Sequence, residues 1–168
     1  PVRASPKHPI RWASMSSIGQ YDIDISKYVA AYDAQNNRDL SSNNQGYISF
    51  ASHCISNDLC PIFEWCSAKN RIVVVYTADV LILTGIRNNT TGSYMAFDKI
   101  TKLATQYDIP LVPIWKDAPT DDIAKFIRVV QSIPKIEGYV IRFDDGDMYK
   151  CKTRSYSGAH MLCGKRIF

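Results

Sequence analysis

The sequence predicts an α+β fold, with mostly antiparallel sheets and flanking helices. Three observations carry that prediction. Val- and Ile-rich runs at 61–66, 71–77 and 79–87 read as strands grouped in mid-chain. Segments on either side place apolar residues at helical spacing. Near the end, Asp144-Asp145-Gly146-Asp147 separates two extended runs, 136–143 and 147–152, which is a hairpin signal.

Taken in order, residues 9–15 read as the tail of a strand, with Ile10 and Trp12 as its apolar members. Ser26 to Ala34 is a helix, with Tyr28, Val29 and Tyr32 near helical spacing. The polar, turn-rich stretch 36–45 is a loop. Tyr47 to Ile55 reads as a short amphipathic helix, with a strand as the alternative. After the three strands comes the turn Asn88-Asn-Thr-Thr-Gly92. Ala96 to Gln106 is a helix with Phe97, Ile100, Leu103 and Ala104 on one side. Leu111 to Trp115 is a short extended piece that Pro110 and Pro113 keep out of a central strand. A further helix begins at Thr120, where Thr-Asp-Asp suits the cap and the dipole, and Pro134 ends it.

Composition bounds the function. A chain of 168 residues is one domain or a slightly incomplete one, and 46% hydrophobic with 21% charged residues describes an ordinary folded protein. A net charge of +4 permits a polyanionic partner without requiring one. The longest apolar run, Ile72 to Tyr76, is too short to cross a membrane. The chain opens on Pro-Val-Arg with no signal peptide, and reads as a fragment or a chain whose start was lost. Five irregularly spaced cysteines with no C-x-x-C pair point to free thiols in a reducing compartment. A zinc site would need better spacing and more histidines than His8, His53 and His160 provide.

The closing hairpin permits a geometric expectation. If Asp145-Gly146 is a two-residue turn, Asp144 faces Asp147 and Phe143 faces Met148. Ile141 then faces Lys150, and Tyr139 faces Lys152. Residues two apart share a face, so Glu137, Tyr139, Ile141, Lys150 and Lys152 lie together. That face is either a cross-strand salt bridge in solvent or a cradle for phosphate and a metal ion. Lysine suits phosphate as a compact charge with three donors, and a carboxylate suits magnesium. Glu64, between Phe63 and Trp65, either points to solvent from an edge or lines a polar pocket. Arg71 could pair with it.

These residues resemble a known family. Phe63-Glu64, Asn70-Arg-Ile-Val-Val-Val-Tyr76, Ile82-Leu83, Arg87-Asn-Asn-Thr-Thr-Gly-Ser-Tyr94 and Phe97-Asp98-Lys-Ile100 look like the central part of the T4-type RNA ligase 1 family. That family belongs to the ATP-dependent covalent nucleotidyltransferases. Glu137-Gly-Tyr-Val140 and Lys150-Cys-Lys152 resemble its fourth and fifth motifs, with Tyr156 and His160 falling where it has a Tyr and a His. Trp12-Ala-Ser-Met-Ser-Ser-Ile18 resembles the strand and turn after its nucleophile motif.

The resemblance implies a nucleotidyltransferase ligase core of ATP-grasp-like type. Its activity would be ATP-dependent joining of 5′-phosphate and 3′-hydroxyl RNA ends, in RNA repair, through enzyme-AMP and RNA-adenylate intermediates. ATP and Mg2+ are the implied cofactors. RNA ends, tRNA-like ones included, are the implied partners, and the cytoplasm of a cell or a virus-infected host is the implied location. Carried over, Glu64 would bind the AMP ribose, and Glu137 would hold the metal. Lys150 and Lys152 would contact the α-phosphate and help expel pyrophosphate. Tyr156 would lie near the outer phosphates, and Asn70 and Arg71 would support the nucleotide site.

The sequence also departs from the family. No Lys-x-Asp-Gly nucleophile motif occurs; it would fall just before Pro1, and Lys7 in Ser-Pro-Lys-His-Pro is no substitute. Met15 stands where the family places a basic residue. The expectation is also that no specificity domain is appended after the fifth motif. The expectation is therefore a partial nucleotidyltransferase domain over 1–168, inactive alone, with its nucleophile on a preceding segment or a second polypeptide. A catalytically inactive nucleotide- or RNA-binding relative, or a nucleotidyltransferase of DNA ligase or capping type, are the alternatives.

Overall fold

The computed structural model describes residues 1–3, 5–14, 19–36, 45–70, 76–119, 121–143 and 147–158. The chain divides into two compact units, one of 1–66 with 79–112 and one of 67–78 with 113–168. The helix and strand mixture is the expected α+β class, and the two sheets among the described residues are antiparallel pairs.

The first unit is built on helices α1 (Gln20–Asn36), α2 (Tyr47–Ser56) and α3 (Phe97–Gln106), with strands β1 (Leu59–Cys66) and β2 (Val80–Asn88). Helix α1 starts six residues before the expected Ser26. Its buried line is Asp22, Ile25 and Val29, so a carboxylate interrupts the apolar signal. Asp22 is inside because it is paired. It accepts from Arg11 Nε and from the backbone N–H of Trp12, both at 2.6 Å. These bonds offset the desolvation that burying a carboxylate costs. Of the expected strand tail at 9–15, the described residues 9–14 show one antiparallel bridge, Val2 with Arg11.

Strand β1 pairs antiparallel with β2, with a bulge between Ile62 and Phe63. Past the bulge, Phe63 and Trp65 turn inward opposite Leu83 and Leu81, while Glu64 is exposed opposite Ile82. Leu111 runs parallel to Leu83 as a single bridge, in keeping with the flanking prolines. Residues 71–75 of the expected second strand lie outside the described residues, and Tyr76 is not in a strand.

Fully buried Tyr47 centres the core. Its ring lies 4.9 Å from Tyr32, 5.9 Å from Tyr28 and from Phe63, and 6.5 Å from Trp12. Its hydroxyl donates to Leu81 O at 2.5 Å, and burial pushes the phenol pKa far above its ordinary value. Asp33 of α1 caps α2, accepting from the N–H groups of Tyr47 and Ile48 at 2.8 and 3.0 Å. Burial raises the Asp33 pKa and those two bonds oppose the rise. Cys54 is buried in the same core, and its thiol is pushed up to about 12, so it stays protonated at neutral pH.

The second unit carries helix α4 (Ile123–Ser132) and the hairpin of β3 (Gly138–Arg142) and β4 (Met148–Lys152), with a short 3-10 turn at Ala68–Asn70. Asp122, the last of the expected Thr-Asp-Asp cap, accepts from Lys125 N–H at 2.9 Å. Thr120 lies outside the described residues. Extended Ile133 and then Pro134 end the helix. Helix α4 buries Phe126 and Val130, four apart on one face, and packs on the hairpin. Trp115 joins them, its ring 5.9 Å from Phe126 and 5.0 Å from Tyr139.

Among the described residues, no helix is long and apolar enough to cross a membrane.

Candidate functional site

The hairpin register differs from the expected one by a single residue. Ile141 pairs with Tyr149, Val140 with Lys150 and Gly138 with Lys152. Phe143 N–H donates to Asp147 O at 2.9 Å, so three residues, 144–146, join the strands rather than two. The same Asp-Asp-Gly-Asp letters suit both connections, because Gly serves a two-residue turn or a three-residue loop. The expected common face is thereby corrected. Lys150 and Lys152 share a face with Val140 and Gly138, and Tyr139 and Ile141 lie on the other, where Tyr139 meets Trp115.

Glu137 nevertheless reaches the lysines, for a reason that strand alternation does not contain. It precedes β3 at a point where the backbone leaves regular extension, with Lys135 at φ 65° and Gly138 at φ 153°. A Cβ on Gly138 would lie 2.0 Å from Cys151 O and 2.8 Å from Lys152 Cα. Only glycine fits so close an approach of the two strands. The carboxylate of Glu137 swings to the cationic face there. Its Oε1 lies 2.5 Å from Lys150 Nζ and 3.8 Å from Lys152 Nζ. All three side chains are partly open, 34% exposed for Glu137 and 45–52% for the lysines.

Tyr156 completes the group from below. It is buried, and Lys152 Nζ stands 5.2 Å from its ring centroid, a cation–π arrangement. Residues 154–158 are helical, and Thr153 begins that turn, its Oγ1 accepting from Tyr156 N–H at 3.2 Å. Gly138 and Thr153 are the site residues that sequence reasoning missed. The only sequence sign of either was a glycine after Glu137 and a threonine three residues before Tyr156.

The other expected positions stand as follows. Glu64 is on the first unit, exposed on the outer face of β1. Asn70 ends the 3-10 turn in the second unit, and its side chain lies outside the described residues, as do Arg71, Met15 and His160. Among the described residues, Cys54, Cys60, Cys66 and Cys151 form no disulfide.

The donor set bears on metal binding. Among the described residues, no three His, Cys, Asp or Glu side chains gather to hold an ion. Glu137 offers a carboxylate between two ammonium groups. That fits magnesium held jointly by one carboxylate and substrate phosphates, a common arrangement for this ion, rather than an all-protein metal site.

The resemblance assigned Glu137-Gly-Tyr-Val140 and Lys150-Cys-Lys152 to the fourth and fifth motifs, and a comparison with known families decides the affiliation. Residues 2–156 match the T4-type family described as RNA ligase. The chain belongs to the T4-type RNA ligase 1 family. The match takes in every element described above. A protein of Thermovibrio ammonificans named "Putative RNA ligase" is 26% identical over 148 residues, 84% of this chain and 37% of that protein. The chain thus spans a little over a third of the length of that relative of the RNA ligase family.

Proposed function

We propose that this chain forms the nucleotide-phosphate-binding part of an ATP-dependent RNA ligase that joins 5′-phosphate and 3′-hydroxyl RNA ends. The observation that carries this reading is the convergence of Glu137, Lys150 and Lys152 on one open hairpin face, with Tyr156 beneath. A salt bridge serving only stability gains little at such exposure, about 0–1 kcal/mol, so the cluster is better explained by a polyanion that it binds.

In this reading Lys150 and Lys152 hold the α-phosphate and neutralise charge as pyrophosphate departs. Such positioning and charge neutralisation is the main catalytic need of nucleotidyl transfer. Glu137 holds magnesium, which when bound would offset phosphate charge. Tyr156 fixes the direction of the Lys152 stem near the outer phosphates. Asn70 and Arg71 support the nucleotide. RNA is the partner, and RNA repair in the cytoplasm is the setting.

A second reading has its own observation: no Lys-x-Asp-Gly occurs in these 168 residues. On that reading the protein is a relative that binds nucleotide or RNA without chemistry. End joining separates the two. The chain, together with the segment or second polypeptide that supplies the nucleophile, is mixed with magnesium, α-labelled ATP and an RNA labelled at its 5′-phosphate, then resolved on denaturing gels. Joined RNA that requires the 5′-phosphate supports the ligase. Reversible ATP binding with neither adenylated nor joined RNA supports the binding relative. ATP affinity untouched by Lys150→Ala and Glu137→Ala would overturn both.

A further inference from the structure

Lys150 and Lys152 project from a two-stranded hairpin, which among the described residues has no neighbouring strand to fix it. Two-stranded hairpins are marginal by themselves. Helix α4 steadies the far face, so what holds the near edge, where Glu137 meets Lys152, decides how well the charges are placed.

That edge is closed by Thr153. Its N–H donates to Glu137 O at 2.9 Å, extending the strand pairing by one step beyond Gly138 and Lys152. Its hydroxyl donates to Ile136 O at 2.8 Å and accepts from Tyr156 N–H at 3.2 Å. Its carbonyl accepts from Ser157 N–H at 3.1 Å. The residue is fully buried, though it is polar and follows an exposed lysine. One side chain therefore ties the backbone before Glu137 to the turn that seats Tyr156 beneath Lys152.

Resting on the ligase reading above, we propose that Thr153 is a positioning residue for phosphate binding. It acts through Glu137, Lys152 and Tyr156 and touches no substrate itself. The hydroxyl is the operative group, because it alone bonds both sides at once. Valine keeps the shape and loses both of these bonds and the 3.1 Å contact with Ser155 Oγ; serine keeps the hydroxyl and loses only a methyl group.

The test is calorimetric titration of the protein with magnesium-ATP, well below the unfolding transition, for wild type, Thr153→Val and Thr153→Ser. The expected result is a Kd raised tenfold or more in T153V and within about threefold of wild type in T153S, a threefold change being roughly 0.65 kcal/mol. A residue that merely caps a helix would lower Tm in T153V and leave Kd unchanged, and that result overturns the proposal. Wild type failing to bind ATP would instead reject the ligase reading. If T153V does not fold, wild-type amide exchange decides. Slower exchange at Thr153 and Tyr156 on saturation with ATP supports the role, and unchanged exchange at both refutes it.

Discussion

Replacing Glu137 with glutamine should tighten binding of free pyrophosphate when no metal is present. The carboxylate occupies the groups that would bind phosphate, 2.5 Å from Lys150 and 3.8 Å from Lys152. Each pair is about half open to water, so each contributes at the low, surface-like end, and together they amount to ~1 kcal/mol. Releasing that competition corresponds to about fivefold in Kd. Local net charge also rises by one unit, which acts in the same direction. Titration of wild type and E137Q with pyrophosphate in EDTA at fixed low ionic strength measures the ratio. The gap should narrow in 0.5 M salt, where screening acts over roughly 4–5 Å. With magnesium present the order should reverse for ATP, because the amide introduced by E137Q offers no charged oxygen to the ion. Weaker or equal pyrophosphate binding by E137Q without metal would refute the reasoning that Glu137 masks the lysines.

Three further outcomes are expected. Tyr47→Phe leaves Leu81 O without its buried donor, so urea denaturation should report a loss of about 1–2 kcal/mol, with ATP affinity unchanged. Gly138→Ala drives a Cβ into Cys151 O and should cost about 2 kcal/mol or more in the second unit while uncoupling Glu137 from the lysines, read as lower Tm together with weaker ATP binding. Asp33 has a raised pKa, so its contribution to stability is full below the ordinary value of 3.8 and is lost as pH rises through the folded-state value. Asp33→Asn should flatten that segment of the plot of urea midpoint against pH; a curve of unaltered shape would remove Asp33 as its source.

Elements with a clean apolar period were legible in the sequence. Helix α3 begins one residue from its expected start, and α4 ends before Pro134 as expected. The first turn of α1 was not, because its buried line passes through Asp22, whose partners Arg11 and Trp12 lie eleven and ten residues away. Hairpin strands β3 and β4 were legible, but their register depends on whether two or three residues join them, and one residue moves every side chain to the other face. The grouping of Glu137 with the lysines survived that slip only through the backbone at Gly138, which no alternation rule contains. Thr153 was missed because its importance lies in the bonds its hydroxyl makes to main-chain groups on both sides, and the letters around it show only an ordinary polar residue after a lysine.

The account rests on the hairpin lysines as a phosphate-binding pair, and the most direct measurement is the magnesium-ATP affinity of the Lys150→Ala, Lys152→Ala double variant against wild type. Both side chains are exposed, so the variant should remain folded, with a circular-dichroism melting curve close to wild type. The predicted result is a Kd at least tenfold higher in the double variant. Equal affinity in a folded double variant would contradict the account.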